Sequence, residues 1–158
     1  MATRPFPWKC GRCHEQAVQP SQVDYTATVE HDGRSYEVEV LALEVPKCQK
    51  CGKLVLVDSA NRRISEALRK TAKLLFPAEI RQNRERLHLT QKQLANLMEV
   101  AVETVSRWET GAQIQQRSFN KLLKAIFRSP EVRKQLAEID AIEPVAMEAA
   151  ATNSSPTD

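Results

Sequence analysis

Four cysteines fall in two pairs, Cys10-Gly-Arg-Cys13 and Cys48-Gln-Lys-Cys51, with 34 residues between them. Each CxxC turn aims two thiolates at one point, and two such turns supply the four tetrahedral sulfurs of a closed structural zinc site. Gly52, directly after the second pair, suits the left-handed backbone common at these turns. Disulfides and a thioredoxin-like redox motif use the same residues. The first is disfavoured by the reducing compartment expected here, the second by the lack of a surrounding βαβ pattern. His14 could compete as a ligand, although four sulfurs already fill the shell; His31 and His88 read as surface or boundary residues. The expectation is one Zn2+ per chain on Cys10, Cys13, Cys48 and Cys51. Its role is structural, since no position stays open for water or substrate.

A second kind of chemistry shows in the charge. Residues 1–61 carry 7 Lys/Arg against 8 Asp/Glu, residues 62–128 carry 14 against 6, and residues 129–158 carry 2 against 6. A basic block between near-neutral and acidic neighbours suggests a polyanion bound by that block alone. Within it, Thr90 can cap a short helix with Leu94, Leu97 and Met98 inward and the small Ala95 where another helix crosses. After a tight turn, Val105 and Trp108 lie on the inner face of a second helix that Gly111 stops. Together these features describe a helix-turn-helix.

Thr90-Gln91-Lys92-Gln93-Leu94-Ala95 followed by Thr104-Val105-Ser106-Arg107-Trp108-Glu109-Thr110-Gly111 resembles the XRE/Cro-repressor type of this motif. Joined to a CxxC…CxxC module, the chain over about residues 8–140 resembles the MqsA (YgiT-type) zinc-finger antitoxins. That resemblance implies a zinc module that binds a toxin, often an mRNA-cleaving ribonuclease. It also implies a helix-turn-helix module that dimerises and represses the shared operon. Two residues depart from the pattern: Glu99 stands where glycine is usual in the turn, and Glu103 where MqsA-like antitoxins carry a base-reading asparagine.

Val102, Glu103 and Arg107 share one exposed face of the second helix and are expected to meet base edges. Arg107 can donate two bonds to guanine, and Glu103 can accept from cytosine N4 or instead pair with Arg107. Gln91, Lys92, Ser106 and Arg117 flank that face and are expected on phosphates. One short helix reads few base pairs, so a homodimer on palindromic double-stranded operator DNA is expected, with Leu122 to Ile139 as the dimer surface.

The elements that position these groups can be read from period. Val23 to Glu30 and Ser35 to Val45 alternate about a turn at His31-Asp32-Gly33-Arg34, giving a hairpin whose edge near Val38 to Leu43 could accept a partner's strand. A helix capped by Ser59 carries Ile64, Leu68, Leu74 and Leu75 and ends at Phe76-Pro77. Pro77 opens the next helix, with Ile80, Leu87 and Leu89 inward. Phe119, Leu122, Leu123, Ile126 and Phe127 form an apolar stripe. Ser129-Pro130-Glu131 starts a last helix with Val132, Leu136 and Ile139.

The predicted fold is mainly α with a small β zinc module, an amino-terminal zinc-bound hairpin followed by a five-helix XRE-type bundle. Its segments are a zinc and toxin-binding module at 1–58, a connecting helix at 59–76, a DNA-binding and dimerisation domain at 77–143, and a disordered tail at 144–158. The chain has 158 residues, 42% apolar and 27% charged, a soluble globular composition with no apolar run long enough to span a membrane. A bacterial cytoplasmic location is expected. Nothing resembles a nucleophile–histidine pair, a glycine-rich phosphate loop or an open metal shell, so an enzyme is not expected. The alternative to an antitoxin is a zinc-ribbon transcription regulator whose amino-terminal module binds a non-toxin protein or senses metal.

Overall fold

The computed structural model describes residues 5–139. An antiparallel sheet comes first, in the order β1 (Trp8–Lys9), β2 (Gln16–His31), β3 (Arg34–Cys48). Six helices follow among the described residues: α1 (Asp58–Thr71), α2 (Pro77–Arg86), α3 (Gln91–Leu97), α4 (Val102–Thr110), α5 (Arg117–Arg128) and α6 (Pro130–Ile139). The chain is mostly helical with a small β unit at its amino end, as its periodicity predicts. The expected tail at 144–158 lies outside the described residues.

The hairpin runs further than its alternation suggests, pairing Val18 with Cys48 by way of Pro20 opposite Pro46. Two prolines interrupt the sequence pattern. They are tolerated because β1 pairs with β2 only at Gln16 and Val18, which leaves Pro20 on an open edge, while Pro46 needs only to accept on the outer side of β3, its carbonyl taking the Val55 amide at 2.8 Å. At the far end Asp32 and Gly33 have φ of 52° and 69°, the left-handed pair of a two-residue type I′ turn. One bulge sets the twist: Leu41 and Ala42 stand opposite the single Asp24, whose Oδ1 accepts the Ala42 amide at 2.9 Å. Arg63 of α1 then donates to the carbonyls of Ala42 and Leu41 at 2.9 and 3.0 Å. The edge at Val38–Leu43, expected to be open to a partner's strand, is closed at these two carbonyls by the chain's own guanidinium.

Helix α1 lays Ala60, Ile64 and Ala67 on Val40, Leu43 and Val45 of the sheet. Val57 occupies its N-cap position without a side-chain bond, and Ser59, expected there, is exposed in the first turn. The helix also stops at Thr71 rather than at Phe76. Lys73 turns left-handed, φ 55°, and its amide and that of Leu74 wrap back to the carbonyls of Lys70 and Arg69. Leu74 is consequently buried outside the helix. The Leu75 amide donates to Asn120 Oδ1 at 2.8 Å, and its carbonyl accepts from Gln115 Nε2 at 2.7 Å. Helices α2 and α3 end by the same wrap-back, on His88 (φ 55°) and Glu99 (φ 51°).

The helical core gathers Ile80, Leu94, Ala95, Met98, Val105, Trp108, Leu123, Ile126 and Phe127. Thr90 and Gln93 form a reciprocal capping box at the start of α3. Inside the bundle Arg84 grips Glu109 through Nε at 2.6 Å and Nη2 at 3.0 Å, and donates Nη1 to the Leu89 carbonyl. Gln91 adds a third donor to the Glu109 carboxylate, at 2.9 Å. The end of α2, the start of α3 and the end of α4 are thereby locked together.

The hairpin tip also touches the bundle. His31 Nε2 donates to the Gln115 carbonyl at 3.1 Å, and Asp32 Oδ2 accepts the amide of Arg117, first residue of α5, at 3.0 Å. Asp32 thus serves α5, whose own Gln116 makes no side-chain cap bond.

Two expectations follow from this packing. Glu109→Ala strands a buried guanidinium and lowers the stability of the helical bundle by about 3–5 kcal/mol in urea unfolding, whereas Arg81→Ala, which removes the exposed Arg81–Glu85 pair, leaves the midpoint nearly unmoved. Asp32→Gly keeps a left-handed turn residue but removes the carboxylate, so amide exchange at Arg117 accelerates while the helical core keeps its protection; unchanged protection at Arg117 would show that the tip contact does not hold in solution.

Candidate metal centre and nucleic-acid interface

The strand ends bring the two cysteine pairs together. Cys48 closes β3, Cys10 follows β1, and the backbone repeats one design at each knuckle. The His14 amide donates to the Cys10 carbonyl at 3.0 Å, and the Gly52 amide to the Cys48 carbonyl at 2.9 Å. Gly52 has φ 73°, as its residue type suggests. In the first knuckle the same left-handed place falls to His14, φ 62°, which is exposed.

All four sulfurs lie within 4.8 Å of one another. Cys10 Sγ is 3.6 Å from Cys51 Sγ, and Cys13 Sγ is 3.6 Å from Cys48 Sγ. Bonds of about 2.3 Å from zinc to sulfur put the corners of a tetrahedron roughly 3.8 Å apart, so the spacing fits one such ion, while a disulfide would need contact near 2.05 Å. All four cysteines are free thiols in the structure.

Local amides prepare the sulfurs for charge. The Cys13 and Arg12 amides hold the Cys10 thiol down at about 6, and the Cys51 and Lys50 amides lower that of Cys48. For Cys13 the Glu15 amide pulls downward, but burial and the adjoining Cys48 sulfur outweigh it and hold the thiol up at about 12. Four sulfurs this close cannot all be thiolates without a cation among them. Cys10 and Cys48 are packed with Val18, and Trp8, Ala17 and Val55 close around them.

On the second surface, α4 buries Val105 and Trp108 and exposes Glu103 and Arg107 one turn apart. No ion pair joins Glu103 to Arg107 among the described residues, so the pairing that sequence left open is not formed. Val102 is half-buried at the start of α4 and packs partly on the core. Lys92 is exposed in the first turn of α3, and Ser106 is half-buried. Arg117 begins α5, its amide taken by Asp32, and the Gln91 amide group is committed to Glu109. The buried Arg84–Glu109 pair that aims α4 escaped sequence reading. A basic residue and an acidic one 25 positions apart carry no local pattern.

No curated protein matches the chain. The family model for the antitoxin component of bacterial toxin–antitoxin systems, MqsA, matches residues 8–138. That span runs from β1 through the four-cysteine cluster, the hairpin and α1 into α6, taking in both surfaces, and the chain therefore belongs to the MqsA antitoxin family.

Proposed function

We propose that the chain neutralises a partner toxin through its zinc module and, as a homodimer, represses its own operon by binding palindromic operator DNA. The observation that carries the DNA half is the α4 face: Glu103 and Arg107 are exposed and form no ion pair among the described residues, while Val105 and Trp108 anchor the helix behind them. Arg107 suits the two acceptors of guanine, and Glu103 the amino group of the paired cytosine or of a neighbouring one. Val102 adds an apolar contact at the start of the helix. Lys92, Ser106 and Arg117 supply phosphate contacts on the flanks. Gln91, tied to Glu109, presents the first turn of α3 to the same backbone. The half-buried Val132 and Leu136 and the exposed Ile139 of α6 form the dimer surface.

The toxin half rests on family membership and on the outward face of the hairpin. Asp24, Glu30, Glu37 and Glu39 stand there among threonines, an acidic strip suited to the basic surface of an RNA-cleaving enzyme. In this reading residues 1–58 bind the toxin, 59–76 connect, and 77–143 bind DNA and dimerise. Zn2+ held by Cys10, Cys13, Cys48 and Cys51 ties the two ends of the hairpin module and supplies no reactivity of its own.

Three outcomes check these assignments. Elemental analysis of purified protein should give about one zinc per chain, and Cys48→Ser should lose the metal and the ordered base of the hairpin while the Leu94–Trp108–Ile126 core persists in its spectrum. A metal-free protein with an intact hairpin would refute the site. Arg107→Ala should cost about 1–3 kcal/mol per half-site and relax preference at one base pair. Lys92→Ala should weaken all sequences alike and flatten the salt slope by about one unit per half-site. The neighbouring gene's product should bind the full chain and lose affinity in a Glu37→Lys, Glu39→Lys variant. Binding that ignores this double charge reversal would move the toxin surface elsewhere.

A further inference from the structure

Arg69, in the last turn of α1, is 97% buried, yet its Nε and Nη2 find no hydrogen-bond partner among the described residues. These two nitrogens form one edge of the guanidinium, the edge that grips two oxygens of an anion side by side. The same chain shows that edge in use, since Arg84 holds Glu109 through its own Nε and Nη2. On Arg69 the edge is empty, and burial draws its pKa below the ordinary arginine value while the charge of Glu66 works the other way. A buried guanidinium lacking these bonds is costly, so the residue is held in a state that an oxyanion would relieve.

Arg69 also lines a cavity of about 620 Å³ between α1 and the place where the start of α2 meets the end of α4. Asn61, Arg62 and Ser65 lie along the same side of α1, opposite the Ala60, Ile64 and Ala67 face that covers the sheet. Gly111 marks the far wall, where an added Cβ would come 3.3 Å from Pro77 Cγ, so α2 and α4 are already in contact there. Asp58 and Glu66 stand at the rim, and no ion pair links either to Arg69. Arg69 is the one buried residue on its wall. The space itself is larger than a phosphate needs.

We propose that this cavity is a binding site for a phosphate-type oxyanion, held side-on by Arg69, with Arg62, Ser65 and Asn61 donating to the remaining oxygens. A tetrahedral anion fits the donor set better than a carboxylate, because the wall offers donors beyond the two that a carboxylate can satisfy. Two sources carry this chemistry, a small phosphate or phosphomonoester and the phosphodiester of nucleic acid. Bound at this point, the anion bridges α1, which rides on the zinc module, to the junction of α2 and α4.

The test follows arginine side-chain Nε–H resonances in the full-length, zinc-loaded protein during addition of inorganic phosphate, a nucleoside monophosphate or a short non-operator duplex. It requires neither toxin nor operator, so it stands apart from the reading above. The expected result is a saturable shift of the Arg69 signal at millimolar phosphate or below. Arg69→Lys, which keeps the charge but loses the paired edge, should weaken it on the order of tenfold. Saturation by phosphate and the monophosphate supports a small-molecule site; saturation by the duplex alone supports the phosphodiester as source. Should Arg69→Lys fail to fold, Ser65→Ala, which is on a half-buried wall position, must still weaken binding. No shift with any of the three, or an unsaturable shift that survives in both variants, would overturn the proposal.

Discussion

Everything in the amino-terminal half depends on bringing Cys13 and Cys48 together across the 34 residues between them. Closing a loop of that length has an entropic cost, and an isolated hairpin cannot supply much against it. Four sulfurs convergent within 4.8 Å, each pair supported by amides of its own turn, give the closure a chemical reason. The consequences propagate along the strands. Once Val18 is set against Cys48 at one end and the Asp32-Gly33 turn is set at the other, the register between them is fixed apart from the bulge at Leu41–Ala42. That bulge is where Arg63 reaches over from α1, so the helix docks on the sheet at the point where the ladder is weakest.

The carboxy-terminal half is organised by a different constraint. Its core is made of ordinary apolar side chains at helical spacing, but the relative tilt of α2, α3 and α4 is set by one carboxylate. Glu109 accepts from Arg84 twice and from Gln91 once, and its side chain is 3% exposed. A buried ion pair of this kind adds little net stability over apolar packing, yet it tolerates only one geometry. The direction of the exposed α4 face follows from that geometry, with no contribution from the exposed residues themselves.

Features that rest on neighbouring residues were legible in the sequence. The two CxxC knuckles, the Asp-Gly turn, the Thr90–Gln93 box, the Gly111 stop and the inward Leu94, Ala95, Met98, Val105 and Trp108 all follow from spacing and residue type. Helix ends were harder. The turn at Glu99 was legible from its place in the helix-turn-helix pattern, but Lys73 and His88 close their helices in a conformation that favours glycine without being glycine, so the sequence bears no stop signal there, and the period of α1 runs on through Leu74 and Leu75. The paired prolines hid the base of the hairpin. Contacts between distant segments, such as His31 with Gln115 and Asp32 with Arg117, left no trace in any window, because their partners lie more than eighty residues away.

Those three left-handed, non-glycine helix ends have a consequence for how long the molecule lasts in a cell. Each costs on the order of 1 kcal/mol, together about 3 kcal/mol removed from a domain whose whole margin is small. A deficit of that size raises the fraction of molecules that are open at any instant by on the order of a hundredfold. Degradation by a protease that cuts only opened chains rises in the same proportion when opening is fast relative to cleavage. A partner that binds the folded form restores the margin by mass action. Binding of a partner to the folded form would thus lower the share of open chains, and cleavage of that kind with it.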